Sequence, residues 1–284
     1  MEIVWNNAGW ISCPVCGMPL KPGSGNTVAC EKRHSYDLSS SGALNLLRGK
    51  PPEDYGARML ESRLLVCKAG FFDSLLKAVS SLLFQHAKTT NLRLLDAGCG
   101  EGSHLMAVRE RLEAEGIPVS AIGLDISKDA IRIAARENEG PLWLVADLAR
   151  LPLMDQSTGA ILNILSPIHY GEFSRVLCDD GLVVKAMPGG EYLKELRQAL
   201  YAGEDRERYT NDAVVSLFEQ RFRVVASEHV RLQFPVPESL WPHIVAMTPL
   251  AWDAEETKRA EALAAPPQSV TLDFLVMAGR KKMT

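Results

Sequence analysis

The sequence predicts an α/β protein, a mostly parallel sheet with helices on both faces, preceded by a small module with little apolar core. Three observations predict it. From residue 91 onward, short apolar runs alternate with amphipathic stretches, the pattern of repeated strand–helix units. The first of those runs leads into a glycine-rich segment, Asp96-Ala97-Gly98-Cys99-Gly100-Glu101-Gly102, that opens a helix. Residues 1–50, by contrast, are rich in Gly, Ser, Pro and Cys and show little helical periodicity.

Taken in order, the chain of 284 residues has room for one sizeable domain and a small one. Residues 1–50 form the small module, and residues 51–88 a helical linker that begins with Pro-Pro-Glu-Asp-Tyr-Gly at 51–56. Apolar spacing over residues 57–88 predicts two helices broken near Gly70. Residues 89–284 form the large domain. Its strands are predicted at Leu92–Ala97, Val119–Leu124, Leu142–Ala146, Ala160–Leu165 and Leu182–Ala186. Helices are predicted at His104–Ala114, Lys128–Arg136, Tyr170–Leu177 and Tyr192–Tyr201, with two further strands near Arg223–Phe234 and Val270–Ala278.

The net charge of −4 argues against a protein that grips nucleic acid over its whole surface. Charge is uneven, however. Lys21, Lys32, Arg33, Arg48 and Lys50 outnumber Glu2, Glu31 and Asp37, so residues 1–50 carry +2 and the remainder −6. The first ten residues lack the basic start and long apolar run of a signal peptide. No stretch approaches the roughly 18 uncharged apolar residues of a membrane span. The expectation is a cytoplasmic protein with no membrane partner.

Three of the six cysteines fall within the first thirty residues. Cys13 and Cys16 make a CxxC pair, and Cys30 and His34 follow. Clustered thiolates with an imidazole suit tetrahedral Zn2+ rather than a disulfide framework. Gly17 allows the tight turn after the first pair, and Pro14 stiffens it. Metal binding would supply the folding energy that a thin core cannot. A redox CxxC is the alternative, but it normally opens a helix beside a parallel-sheet pattern, which is absent around Cys13.

The glycine segment marks a ligand loop, with Gly98 and Gly100 letting backbone pass close beneath the ligand. A dinucleotide fingerprint places its third glycine three positions after the second, where this chain has Ser103. Asp96 would repel a pyrophosphate but suits a cation. S-adenosylmethionine carries a sulfonium and an ammonium and no phosphate, so the charges favour it over NAD. Asp125 ends the second strand, where it could accept hydrogen bonds from both ribose hydroxyls. Asp147 and Leu148 follow the third strand, where the carboxylate could meet an adenine amino group. Three acids after three successive strands form one site at a topological switch point. The ordinary reading of any one acid is a helix N-cap.

The fourth strand ends Asn163-Ile164-Leu165-Ser166-Pro167, the tip that faces the reactive methyl group in this architecture. Asn163 and Ser166 could hold a nucleobase edge, and Pro167 fixes the turn. The alternative is a Ser-Pro helix start. Met247-Thr248-Pro249-Leu250-Ala251-Trp252 could form a loop over the pocket, with Trp252 either stacking on a base or buried in the core.

Together the Cys13, Cys16, Cys30, His34 quartet, the downstream segment Gly42 to Leu47, the 96–102 loop, the 163–167 tip and the 247–252 segment resemble the RlmA family of 23S rRNA (guanine-N1)-methyltransferases through nearly the whole chain. The resemblance implies a Rossmann-like class I methyltransferase domain with a seven-stranded, mostly parallel sheet and an N-terminal zinc ribbon. It implies zinc on Cys13, Cys16, Cys30 and His34, and cofactor contacts from Asp96, Gly98, Gly100, Asp125 and Asp147. It further implies a homodimer whose subunits form an RNA cleft, and macrolide resistance in some members. The tip at 163–167 matches one branch of the family better than another, so the resemblance does not identify a catalytic base. Transfer to guanine N1 in an rRNA hairpin would rest on positioning of a base turned out into the pocket. Lys32, Arg33, Arg48 and Lys50 are candidate phosphate contacts. Two rivals stay open. A small-molecule methyltransferase with a structural zinc cap predicts activity without RNA. A non-catalytic RNA- or protein-binding module predicts weak cofactor binding.

Overall fold

The computed structural model describes residues 9–49, 56–87 and 91–282. Lys50, most of the segment at 51–56 and Lys88 lie outside the described residues. The first module holds three short strands, β1 (Lys21–Pro22), β2 (Thr27–Ala29) and β3 (Ser35–Asp37), paired antiparallel. Two helices follow, α1 (Ala57–Lys68) and α2 (Asp73–His86), and the break between them falls at Gly70 as expected.

The main sheet is built on β5 (Leu92–Ala97), β6 (Val119–Asp125), β7 (Leu142–Val145), β8 (Thr158–Ile164), β9 (Leu177–Pro188), β10 (Phe222–Pro235) and β11 (Ser269–Lys281). These are the seven strands expected from the sequence. An eighth, β4 (Leu44–Asn45), comes from the N-terminal module and lies parallel against β7. The strand order is β10-β11-β9-β8-β5-β6-β7-β4, parallel except at β10 and β11. Order reverses between β5 and β8, which opens a crevice at the carboxyl ends of those strands. β9 begins five residues before the predicted Leu182, because its first turn carries the exposed Asp179 and Asp180 beyond the apolar run.

Between the strands lie α3 (Ser103–Ala114), α4 (Lys128–Glu137), α5 (Tyr170–Val176) and α6 (Lys194–Tyr201), each within two residues of its predicted limits. Ser127 caps α4 by accepting from the Ala130 N–H at 3.0 Å. Three helices are absent from the sequence reading: α7 (Asp212–Arg221), α8 (Trp241–Met247) and α9 (Glu256–Ala264). Each escaped for a physical reason. Phe218 alone is buried in α7 and Ala262 alone in α9, so neither shows an apolar stripe, and α8 is only seven residues long with a proline in its first turn.

The segment read as a helical linker is corrected by its packing. Phe71, Phe72, Leu75, Leu76, Val79 and Leu83 enter the main core beside Leu94, Leu162 and Val184. The N-terminal module is equally continuous with the fold. Trp10 is fully buried, and its Nε1 donates to Thr158 Oγ1 at 3.1 Å. Met154 N–H donates to the Trp10 carbonyl at 2.9 Å, and Leu46 N–H to the Val145 carbonyl at 2.9 Å. No helix among the described residues is long and apolar enough to cross a membrane.

Candidate active site and metal centre

The cysteine–histidine quartet converges. The ligand atoms of Cys13, Cys16, Cys30 and His34 lie within 4.8 Å of one another. Cys16 Sγ is 3.7 Å from Cys30 Sγ, and His34 Nδ1 is 3.5 Å from Cys13 Sγ and 3.4 Å from Cys30 Sγ. A tetrahedral zinc ion with ordinary Zn–S and Zn–N bonds requires S···S edges of about 3.8 Å and S···N edges of about 3.5 Å. The four side chains therefore fit zinc. Two tight turns present them. Gly17 N–H donates to the Cys13 carbonyl at 2.8 Å, and Arg33 N–H to the Cys30 carbonyl at 2.9 Å. Gly17 takes φ 72°, a left-handed conformation that glycine tolerates, but in the second turn Arg33, just before His34, holds φ 63°. Burial pushes the Cys13 thiol up, but the Tyr36 hydroxyl, 3.3 Å away, and backbone N–H groups outweigh it and hold it at about 6. Lys32 and Arg33 are exposed beside this centre, and Arg48 donates to the Pro14 carbonyl at 3.2 Å.

The second site lies in the crevice at the reversal of strand order. A cavity of about 840 Å³ runs from Arg63 and Gly98 past Asp125, Leu148 and Ser166 to Tyr209 and Trp252. That volume is within the range of cofactor pockets. Asp96, at the end of β5, is 1% exposed, and neither carboxylate oxygen has a hydrogen-bond partner. Burial pushes its pKa up to about 8 against the pull of the Arg63 guanidinium. Arg63 comes from α1, the helix read as linker. Its Nε sits 3.1 Å from Glu101 Oε2, off the hydrogen-bonding angle, and its Nη2 lies 3.3 Å from His104 Nδ1. His104 is held neutral by burial, far below its ordinary pKa, so it can accept from Arg63.

Gly98 takes φ 85°, and a Cβ there would collide with Ser166, so the tip after β8 lies directly on the glycine loop. Asp125 holds that loop from the other side, with Oδ2 accepting from Gly100 N–H at 2.9 Å and Oδ1 from Ser127 N–H at 2.9 Å. Each oxygen keeps a second lone pair for a ligand hydroxyl. An orphaned buried carboxylate, a guanidinium and a glycine cradle fit a ligand with an ammonium, a carboxylate and no phosphate, which is the methionine end of S-adenosylmethionine.

Other expectations are corrected. Asn163 is fully buried and cannot hold a nucleobase edge. Its amide donates to the Ala97 carbonyl at 3.1 Å and the Pro167 carbonyl at 2.8 Å, and its Oδ1 accepts from Lys185 Nζ at 2.6 Å. It ties the tip to β5 instead. Asp147 Oδ1 caps the 3-10 turn Leu148–Arg150 through Ala149 N–H at 2.8 Å, and the same residue also lines the cavity. Leu148 lines the cavity. Ser-Pro does not start a helix. α5 begins at Tyr170, capped by His169 Nδ1, which accepts from Glu172 N–H at 3.1 Å. Pro167 is exposed on the cavity rim. Trp252 is 42% exposed at the same rim, so it is no core residue. Met247 ends α8, and Pro249–Ala251 form one 3-10 turn beside it. Arg63, Lys185 and Tyr209 are the site residues that sequence reasoning missed. No motif surrounds them, and only tertiary packing brings them to the crevice.

A parallel sheet with this order, a glycine loop under an orphaned acid and a docked zinc ribbon define a class I S-adenosylmethionine-dependent methyltransferase. Residues 94–181 match the family model described as a methyltransferase domain, and residues 11–50 match the model described as RlmA, N-terminal, a zinc ribbon. A Bacillus subtilis protein provisionally named a 23S rRNA (guanine-N1)-methyltransferase is 36% identical over 95% of this chain and 96% of its own length. The 23S rRNA (guanine(748)-N(1))-methyltransferase of Streptomyces fradiae is 29% identical over 92% of each chain. One chain of a solved complex between the Haloferax volcanii Trm112 methyltransferase activator and a provisionally named methyltransferase matches 82% of this chain and 100% of its own length, with a TM-score of 0.51 at 16% identity. The chain belongs to the RlmA family.

Proposed function

We propose that the protein transfers a methyl group from S-adenosylmethionine to N1 of a guanine in a 23S rRNA hairpin. The observation that carries the reading is the lining of the cavity, which joins Arg63, Gly98 and Asp125 at the cofactor end to the Ser166–Pro167 tip and to the exposed rings of Tyr209 and Trp252. A cofactor alone does not need that second half, whereas a base turned out of its stack needs aromatic surfaces at the entrance. Relatives matched over nearly the full length carry names for this reaction.

In this reading Asp96 holds the cofactor's ammonium and Arg63 its carboxylate. Gly98 and Gly100 let backbone approach, Asp125 accepts from the ribose hydroxyls, and Leu148 with Asp147 flanks the adenine. When bound, the cofactor supplies the electrophilic sulfonium methyl. Ser166 and Pro167 shape the wall between cofactor and base, and the protein's main task is alignment. In the same reading Lys32, Arg33 and Arg48 of the zinc ribbon contact RNA phosphates. The reading places the protein in the cytoplasm with its substrate, as a homodimer, in line with the family resemblance. Sedimentation of the purified protein should give twice the chain mass; a monomer at micromolar concentration would remove the dimer.

The reaction is tested with methyl-labelled S-adenosylmethionine and unmodified 23S rRNA. The expected product is 1-methylguanosine at one hairpin. Cofactor binding without transfer to RNA would favour a small-molecule acceptor and a purely structural zinc ribbon.

A further inference from the structure

Lys185 lies in β9, 4% exposed, in register with Asn163 of β8 and Met277 of β11. Its Nζ donates to Asn163 Oδ1 at 2.6 Å and to the Ser166 carbonyl at 3.2 Å, both neutral oxygens. No carboxylate among the described residues pairs with it. Burying an unpaired ammonium is costly, and a methionine of similar length would pack there without that cost. The ammonium has three N–H groups, and the third has no acceptor among the described residues, while the side chain lines the cavity beside the tip.

The cofactor is not the partner for that N–H, since its sulfonium and ammonium are cations and its carboxylate is matched by Arg63. An electron-rich oxygen on the acceptor is. Guanine carries O6 next to N1, and as N1 loses its proton the negative charge is shared between N1 and O6. A buried cation aimed at that oxygen acts as a preorganised charge stabiliser. Adenine presents an N–H donor at the corresponding position, which an ammonium cannot satisfy. Resting on the methyl-transfer reading above, we propose that Lys185 donates its third N–H to O6 of the target guanine, selecting a 6-oxopurine and stabilising its N1-deprotonated form. N1 uses its electron pair to form the new N–CH3 bond as the S–CH3 bond breaks, the S–CH3 bonding pair stays on sulfur, and the N1 proton passes to solvent. The products are 1-methylguanine and S-adenosylhomocysteine. Asn163 is then a positioning residue that aims Lys185.

Burial draws the Lys185 pKa down to about 8, so the ammonium form dominates at neutral pH. The titratable groups sharing its cavity are Arg63, Asp125, Asp147, His169, Tyr192 and Tyr209, and its strand neighbours Asn163 and Met277 carry none. The test compares wild type, Lys185→Met and Lys185→Arg on hairpins bearing guanine, inosine or 2,6-diaminopurine at the target. Expected is a fall in kcat of about 100- to 1000-fold for Lys185→Met, as for loss of an oxyanion donor, with partial recovery in Lys185→Arg. Cofactor Kd by calorimetry stays within about twofold, and Tm is unchanged or higher because a lone buried charge is gone. Wild-type kcat/KM declines above about pH 8, and the Lys185→Arg profile does not. Inosine is methylated and diaminopurine is not. Wild-type kcat and pH profile in Lys185→Met would overturn the inference, as would a loss of activity that merely tracks cofactor affinity and Tm. Absence of 1-methylguanosine from the wild type would overturn the methyl-transfer reading and this inference together, an outcome distinct from an active wild type with an indifferent Lys185→Met.

Discussion

Cys30→Ser is expected to abolish zinc binding and RNA methylation while leaving cofactor binding within about tenfold of wild type. The physical basis is the thinness of the module. β1, β2 and β3 have two or three residues each, and apart from its cysteines the module's buried apolar residues are few: Trp10, Ile11, Leu20, Val28, Ala43, Leu44 and Leu46. Structural zinc contributes about 10–16 kcal/mol of binding free energy in small domains of this kind, far more than such a core can replace. Three ligands cannot close the tetrahedron, so the module should open and expose Trp10 to solvent. The loss spreads to the main sheet. β4 pairs with β7, and the Trp10 indole leaves Thr158 without its donor. Asp96, Arg63 and the glycine loop sit on β5, α1 and α3, away from that edge. Zinc content should fall from one ion per chain to none, and tryptophan emission should shift to the red. Thermal unfolding should show a lower or split transition, and calorimetry should still detect cofactor. A variant that keeps full RNA activity without metal would make the ribbon dispensable.

Asp96→Asn is expected to weaken S-adenosylmethionine by about 2–5 kcal/mol, the usual cost of removing one member of a buried, hydrogen-bonded charge pair. The wild-type affinity should also depend on pH in a defined sense. With its pKa near 8 in the free protein, Asp96 is largely protonated at pH 6–7, and binding a cation requires that proton to leave. Affinity should rise with pH and level off above about 8, and each pH unit below that should cost up to tenfold. The stability of the cofactor-free protein runs the other way. The folded pKa lies above the ordinary carboxyl value of 3.8, so the group's stabilising contribution is complete below about pH 4 and is lost progressively as pH rises to about 8. Asp96→Asn should flatten both profiles, since its amide does not titrate. Calorimetry in two buffers of different ionisation enthalpy reads the released proton directly. A pH-independent Kd in the wild type would mean that Asp96 does not meet the ammonium.

Much of the fold was legible in the chain because it is written in local pattern. The strand Leu92–Ala97 has the same limits in sequence and structure, and α3 and α4 differ from expectation by one residue at one end. Apolar runs bounded by glycine and acid leave few alternatives for a parallel strand. The zinc quartet was equally legible, since thiolate and imidazole spacing is a short-range property. α7 and α9 were not, because each buries a single side chain and owes its place to neighbouring strands rather than to its own periodicity.

By itself, then, the sequence determined the strand–helix alternation, the metal centre, the glycine loop and the three acids after three strands, all of which depend on residues near one another in the chain. Tertiary structure alone decided what those acids and their neighbours do. Asp147 caps a turn, Asp125 clamps the loop, and only Asp96 is left without a partner. It also turned Asn163 from a ligand contact into a tie between strands, and it brought Arg63, from 33 residues upstream, and Lys185, from two strands away in the order, to the same crevice. The reason is physical. Hydrogen-bond satisfaction and desolvation are settled by atoms that meet across the fold, and no spacing along the chain encodes which of several carboxylates will be left buried with no partner.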